Sequence, residues 1–283
     1  MQSRTSMPTS RELRQREEAG LDVRALTHTI WQVAQAALVF LVLGVLIWRG
    51  AQAMEYSWQW YRVGPFFYRV IDGEIIWGPL VKGLIQTLKL AAVSGVVAVS
   101  IGFVTAFARL SNSIAGRIIA KWYLEAIRNT PLLVQIFLFY FVLAPIFGID
   151  RFWAGVLCLS FFEGSFAAEI IRGGITGVDR GQYEGADAVG LNIVDKYRFI
   201  VIPQSLPLIL PPLTGLLISL IKHSAIVSVI AVSELTTAGM NLIADTFMAF
   251  EVWFLVAGIY LAVTVTLSIG VSLFEMSLNK NKR

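Results

Sequence analysis

Residues 182–204 read QYEGADAVGLNIVDKYRFIVIPQ, a polar, amphipathic stretch set between two runs apolar enough for lipid. Within it Ala186, Gly190, Ile193, Tyr197 and Val201 recur at spacings of three and four, the period of a helix with one apolar stripe. Asp187, Asn192, Asp195, Lys196 and Arg198 take the other positions. Gly190 and Asn192 are placed to divide the run into two short helices joined by a bend, since glycine accepts backbone angles closed to other residues. Pro203 then restricts the backbone where the chain turns back into an apolar run. On periodicity alone, the simpler reading is an interfacial helix that merely links two spans.

The flanks place this stretch in a membrane protein. Of 283 residues 56% are hydrophobic and 15% charged, a combination soluble domains seldom show. A spanning helix needs about 20 mostly apolar residues. Residues 32–48, 90–108, 132–149, 199–221 and 252–274 meet or approach that length without a charge until Lys222 closes the fourth of them, and 152–171 is interrupted only by Glu163 and Glu169. The expected fold class is therefore an all-α integral membrane protein with about six transmembrane helices. Cys158, the one cysteine, lies in an apolar run and reads as core packing. The first apolar run follows a mixed-charge tail, is too long for the core of a cleaved signal peptide, and is expected to stay as a helix.

Basic residues set the topology. The segments 1–29, 109–131, 172–198 and 279–283 hold sixteen of the 23 Lys and Arg, which places them and both termini in the cytoplasm by the positive-inside bias. Because these charges sit at helix ends and not on one soluble face, the basic pI indicates topology and no nucleic-acid partner. The outer connection, about 50–83, is rich in aromatic residues suited to the membrane interface.

The spacing within 184–203 adds a second reading. Glu184-Gly185-Ala186, three residues, Gly190, nine residues, then Ile200-Val201-Ile202-Pro203 resembles the EAA loop of ABC importer permeases, with Gly185 in place of the first alanine and Ile202 in place of leucine. EAIRNTPLLVQIFLFYFVL (125–143), AAEIIRGGITGVDRGQYE (167–184) and ISLIKHSAIVSVIAVSEL (218–235) resemble, in order, three further segments of the permeases for polar amino acids, of the histidine, glutamine, glutamate and arginine type. The resemblance covers about 84–276. His223 stands where the family usually has Asp or Asn, Ala225 and Ile226 replace the usual Ser and Leu, and Gly177 replaces a common Ser. The first helix exceeds the family's five-span core.

What the resemblance implies is a type I ABC importer permease with a cytoplasmic coupling-helix loop at about 182–200. Its divisions would be a cytoplasmic tail over 1–29, an extra helix and outer loop over 30–83, the permease domain over 84–276 and a C-terminal tail over 277–283. It also implies a second permease chain, the same or a paralogue, a dimer of ABC ATPase subunits and a separate solute-binding protein that delivers an amino acid. No G-x-x-x-x-G-K-[ST] loop occurs, so ATP and Mg2+ would act through the partner ATPase and this chain is expected to bind no cofactor and to be no enzyme. Glu184, Gly185, Ala186, Asp187, Gly190 and Asp195 are the expected ATPase-coupling residues.

Polar groups at membrane depth are costly, about 2.5–3.5 kcal/mol for a charge on insertion scales, and so mark a route for substrate. Gln135, Glu163, Lys222, His223 and Ser224 are the candidates. Glu169 and Arg172, three apart on one helical face, read as a structural ion pair. Pro207, Pro211 and Pro212 remove backbone donors in the fifth span and mark it as a gate or kink. No metal site is expected, since no cluster of carboxylates or histidines has ligand spacing. A stand-alone secondary transporter driven by an ion gradient is the alternative, because broken helices and buried carboxylates suit it too; a carrier of that kind would not need the cytoplasmic helical loop. Membrane lipid surrounds either.

Overall fold

The structure, a computed structural model, describes residues 10–54 and 56–280, and the chain divides into two compact units, 1–58 and 59–283. In the first, α1 (Ser10–Ala53) is one helix, within which Ile30–Gly50 is long and apolar enough to cross a bilayer. Helix thus begins inside the tail expected over 1–29, of which residues 1–9 lie outside the described residues.

The second unit starts with a 3-10 turn (Trp60–Arg62), the short α2 (Gly64–Phe67) and a hairpin of β1 (Tyr68–Ile71) and β2 (Glu74–Trp77). The strands pair antiparallel from Tyr68 with Trp77 to Ile71 with Glu74. Asp72 and Gly73 between them both have positive φ, +53° and +82°, the two-residue turn whose twist matches that of the strands. Apart from this hairpin the described residues of the unit form helices and the turns that join them.

α3 (Pro79–Leu110) and α7 (Arg151–Thr176) form its central pair. Small residues let them approach: Ala98, Gly102 and Ala106 of α3 are buried, as are Gly164, Ala167 and Ala168 of α7. A Cβ added at Gly102 would lie 2.7 Å from that of Ala167 and 3.1 Å from the Ala167 carbonyl carbon, so backbone would have to yield. In lipid, where apolar burial supplies little drive between helices, such close packing is what holds them. Gly102→Ala is accordingly expected to destabilise the chain by about 1 kcal/mol through overpacking, read as a lowered unfolding midpoint of the detergent-purified protein; an unchanged midpoint would mean the contact is loose.

Between them run α4 (Ile114–Arg128), α5 (Leu132–Phe137), a π turn (Leu138–Leu143) and α6 (Ala144–Phe147). The expected span 132–149 ends two residues early and is bent away from the helix that precedes it. Leu132–Phe147 has only 16 residues, about 24 Å at helical rise against about 30 Å of hydrocarbon, and it turns 104° from α4. Among the described residues five helices pass as spans by length and composition, and six if this bent pair counts as one. The break comes at Thr130-Pro131, where proline bars the preceding residue from helical angles.

After α7 come α8 (Arg180–Ala188), α9 (Ile193–Lys196), a π turn (Tyr197–Val201) and α10 (Ile202–His223), then a 3-10 stretch (Ser224–Ile230), α11 (Leu235–Thr246) and α12 (Ala249–Lys280). α10 continues from end to end through Pro207, Pro211 and Pro212. Ile171, Ile175, Val201 and Ile209 form the core that joins α7 to the base of α10. Leu90, Ile136, Leu159 and Val227 form a second cluster, with Cys158 buried in it. α3 starts at Pro79, ahead of the expected domain boundary at 84, and α12 runs into the expected tail, of which 281–283 lie outside the described residues.

Candidate functional site

The segment between α7 and α10 is two short helices at a fixed angle. Asp179 caps α8, its Oδ1 accepting from the Gly181 amide at 2.7 Å. Arg180 and Glu184 pair along its first turn at 3.0 Å. α8 ends where Gly190 takes φ +74°: the Leu191 amide donates to the Ala186 carbonyl at 3.1 Å and the Gly190 amide to that of Asp187 at 3.0 Å. These are the two bonds of a Schellman stop, which needs a left-handed residue at Gly190. Asn192 then caps α9, accepting from the Asp195 amide at 2.9 Å and donating its own side-chain amide to the Asp195 carboxylate at 2.6 Å. Lys196 closes the bend with an ion pair to Asp187.

The segment is tied to both spans it joins. Tyr183 donates its hydroxyl to the Ile175 carbonyl at the end of α7, at 2.8 Å; burial and the neighbouring Tyr197 hold this phenol above its ordinary pKa. Gln204 at the start of α10 donates to Gln182 at 3.0 Å. Ala186 is buried against the body, whereas Val189, Ile193 and Val194 are each about 70% exposed (74, 68 and 68%). Ile193 therefore leaves the apolar stripe expected of it, because the left-handed turn at Gly190 resets the helical phase and the 3.6-residue period does not carry across. Glu184, Gly185 and Asp187 face outward.

Among the expected route residues, the fold joins two. Glu163, midway along α7 and 3% exposed, meets Nδ1 of His223, the last residue of α10, at 2.5 Å. The rings of His223 and Phe162 stand at 85° to each other, centroids 6.1 Å apart. Ser224 is buried and donates to the Ile221 carbonyl at 2.6 Å, and Lys222 is exposed. Gln135 lies elsewhere in the bonding pattern: its buried amide donates to the Ile127 and Thr130 carbonyls and to the Thr130 hydroxyl, at 2.7–3.0 Å. It thereby satisfies the end of α4 at the break, while its Oε1 has no hydrogen-bond partner.

Glu169 and Arg172 meet through two bonds, at 3.0 and 2.9 Å. They are not alone, for Arg109 also bonds Glu169 and Arg128 stands 3.6 Å from it. Glu234, absent from the sequence-level candidates, is wholly buried: it caps α11 through the Thr236 and Thr237 amides at 2.7 Å each, and accepts from the Tyr260 hydroxyl at 3.0 Å. Its signal in the sequence was an acidic residue just ahead of a helical run. No group of three or more His, Cys, Asp or Glu among the described residues is arranged to hold a metal ion.

Comparison with known proteins gives one family and several relatives. The family described as binding-protein-dependent transport system inner membrane component matches residues 98–279. The glutamine transport system permease protein GlnP of Escherichia coli (strain K12) is 34% identical over 203 residues, 70% of this chain and 93% of its own length. The arginine transport system permease protein ArtQ of Bacillus subtilis (strain 168) is 32% identical, over 71% and 93%. Among solved structures, a crystal structure of an amino acid ABC transporter with histidines aligns at TM-score 0.66 and 39% identity over 70% of this chain and 94% of that one. An inward-facing MetNI methionine ABC transporter, 19% identical at TM-score 0.63 over 70% and 95%, shares the fold.

Proposed function

We infer the function from one premise: the chain belongs to the family of binding-protein-dependent transport system inner membrane components. It is the membrane-spanning permease subunit of an ABC importer, a transport subunit whose ATPase is a separate chain, and not a stand-alone carrier. We propose that its substrate is a polar amino acid, in keeping with relatives named for glutamine and arginine. The partners would be a second permease chain, two ATPase subunits that hold ATP and Mg2+, and a solute-binding protein outside. Both termini would face the cytoplasm, as the distribution of Lys and Arg favours.

The observation that carries the coupling role is the rigid helix pair with its exposed apolar tip. Val189, Ile193 and Val194 offer a groove on an ATPase a contact that solvent would not favour. The bonds Tyr183 to Ile175 and Gln204 to Gln182 transmit a push on that tip to α7 and α10 together. Closure of the ATPases would rock these spans between inward and outward openings. The same two helices carry Glu163 and His223, which we assign to the substrate route with Lys222 and Ser224 beside them. Movement between α7 and α10 would make and break that pair, so the polar groups a substrate meets change with the lever. With His223 in place of the family's usual Asp or Asn, the route offers a substrate a different polar group from its better-known relatives. Pro207, Pro211 and Pro212 remove backbone donors from α10, which suits a helix that lines a hydrated gate.

The test is ATP hydrolysis by the chain reconstituted in lipid with its neighbouring ATPase and binding protein, each amino acid added in turn. Stimulation by a few polar amino acids is expected and would name the substrate. Substrate movement driven by an ion gradient, with no ATPase bound, would overturn the reading.

A further inference from the structure

Around Glu169 the fold gathers more positive charge than one carboxylate can balance. Arg109 comes from the last turn of α3, Arg128 ends α4 and Arg172 lies on α7. Arg172 holds one carboxylate oxygen through two donors, and Arg109 and Arg128 share the other. Three guanidinium groups against one carboxylate leave two charges in excess. Lys121 and Glu125, the other charged groups facing this space, pair with each other at 3.8 Å and cancel. A guanidinium carries five N–H donors, so most donors of Arg109 and Arg128 have no acceptor on Glu169.

A cavity of about 500 Å3 opens on this cluster, with Arg109, Arg128, Lys121 and Asn129 on its wall. Arg109 and Arg128 are 33% and 40% exposed, within reach from outside. Phe166 makes a cation–π contact with Arg128, whose guanidinium carbon lies over its ring, 5.3 Å from the centroid.

The surroundings say what reaches the cavity. α4 has three faces: Ala120 and Leu124 are buried, while Arg117, Lys121 and Arg128 form a basic stripe beside Ile118, Ile119 and Trp122, all largely exposed. A basic stripe flanking an exposed apolar one is the pattern of a helix lying in the headgroup layer, with Lys and Arg among the phosphates. The mouth of the cavity then opens at the depth of lipid headgroups.

We propose that this cavity binds the phosphate of an anionic phospholipid, with Arg109 and Arg128 as its donors and Lys121 at the rim. The chemistry recognised is a phosphate oxyanion, which a guanidinium meets with paired N–H bonds. The assignment stands independently of the transported substrate. An occupied site would bridge the ends of α3, α4 and α7 where Glu169 alone leaves them mutually repulsive.

The full chain, purified in mild detergent and incubated with phosphatidylglycerol or with phosphatidylcholine of the same acyl chains, tests this by native mass spectrometry. Preferential retention of phosphatidylglycerol is expected, falling about fivefold in Arg109→Gln or Arg128→Gln, the effect of one basic group at an anionic surface. Lys121→Gln, at an exposed position away from Glu169, leaves the fold intact and should lower the preference less, about twofold, because Glu125 already offsets part of the lysine's charge. Equal retention of the two lipids, or an unchanged preference in whichever of these variants folds, would overturn the proposal. Displacement of the lipid by inorganic phosphate at comparable concentration would also overturn it, by assigning the cavity to a free anion.

Discussion

Gly190→Val is expected to abolish ATP-driven uptake while the chain still inserts and accumulates normally. Nothing lies within 4 Å of a Cβ at this position, so the side chain itself is accommodated. The backbone is what fails. Gly190 sits at φ +74°, a conformation that costs an L-residue about 1–2 kcal/mol and is worst for a β-branched one. The angle is required by the bonds from Leu191 to Ala186 and from Gly190 to Asp187 that end α8. If the turn opens, α9 swings, and Val189, Ile193 and Val194 no longer form one tip. A local cost of this size leaves the packed spans folded. Gly190→Asn is the informative companion, since Asn tolerates left-handed angles through its short polar side chain and should retain much of the uptake. Normal uptake by the Val variant would remove the turn from the coupling mechanism; equal loss in Val and Asn variants would place the requirement on the absent side chain instead.

Glu169→Ala should have the largest effect on stability. The carboxylate is shared by Arg109, Arg128 and Arg172, and its removal leaves three cations facing one another. Removing one partner of a fully buried pair costs roughly 3–5 kcal/mol. Here the four side chains are 25–40% exposed, so water screens part of the loss and about 2 kcal/mol is expected. The measurement is the unfolding midpoint of the purified chain in detergent, with added Arg172→Ala expected to restore part of it by removing repulsion. A midpoint unmoved by Glu169→Ala would show that solvent already neutralises the cluster. The same variant should bind an anionic lipid more tightly than the parent, because the excess charge rises while Arg109 and Arg128 remain.

Local chemistry was legible where it depends on near neighbours. The period of the apolar runs marks the spans, and the glycine and asparagine between two helical stretches mark the bend at 190–192. Glu169 and Arg172 are three apart on one helix, and such a pair can be read without a fold. The hairpin at 68–77 was legible too, in the Asp72-Gly73 pair between short β-prone runs, although the aromatic content of that loop drew the reading toward the interface. An apolar run does not by itself reveal that Thr130-Pro131 turns the chain 104° or that Leu138–Leu143 departs into a π turn.

By itself, then, the sequence determined that the chain is a helical membrane protein with a broken amphipathic segment in permease spacing, since hydropathy, helical period and glycine angles are properties of adjacent residues. Only the tertiary structure decided that Glu163 meets His223 across 60 residues, that Lys196 locks to Asp187 over the bend, and that Arg109 and Arg128 join the pair at Glu169. Such contacts depend on the azimuth at which each helix packs against the next, and this is set by the small residues of α3 and α7, whose partners are distant in the chain and carry no mark of it in any local pattern.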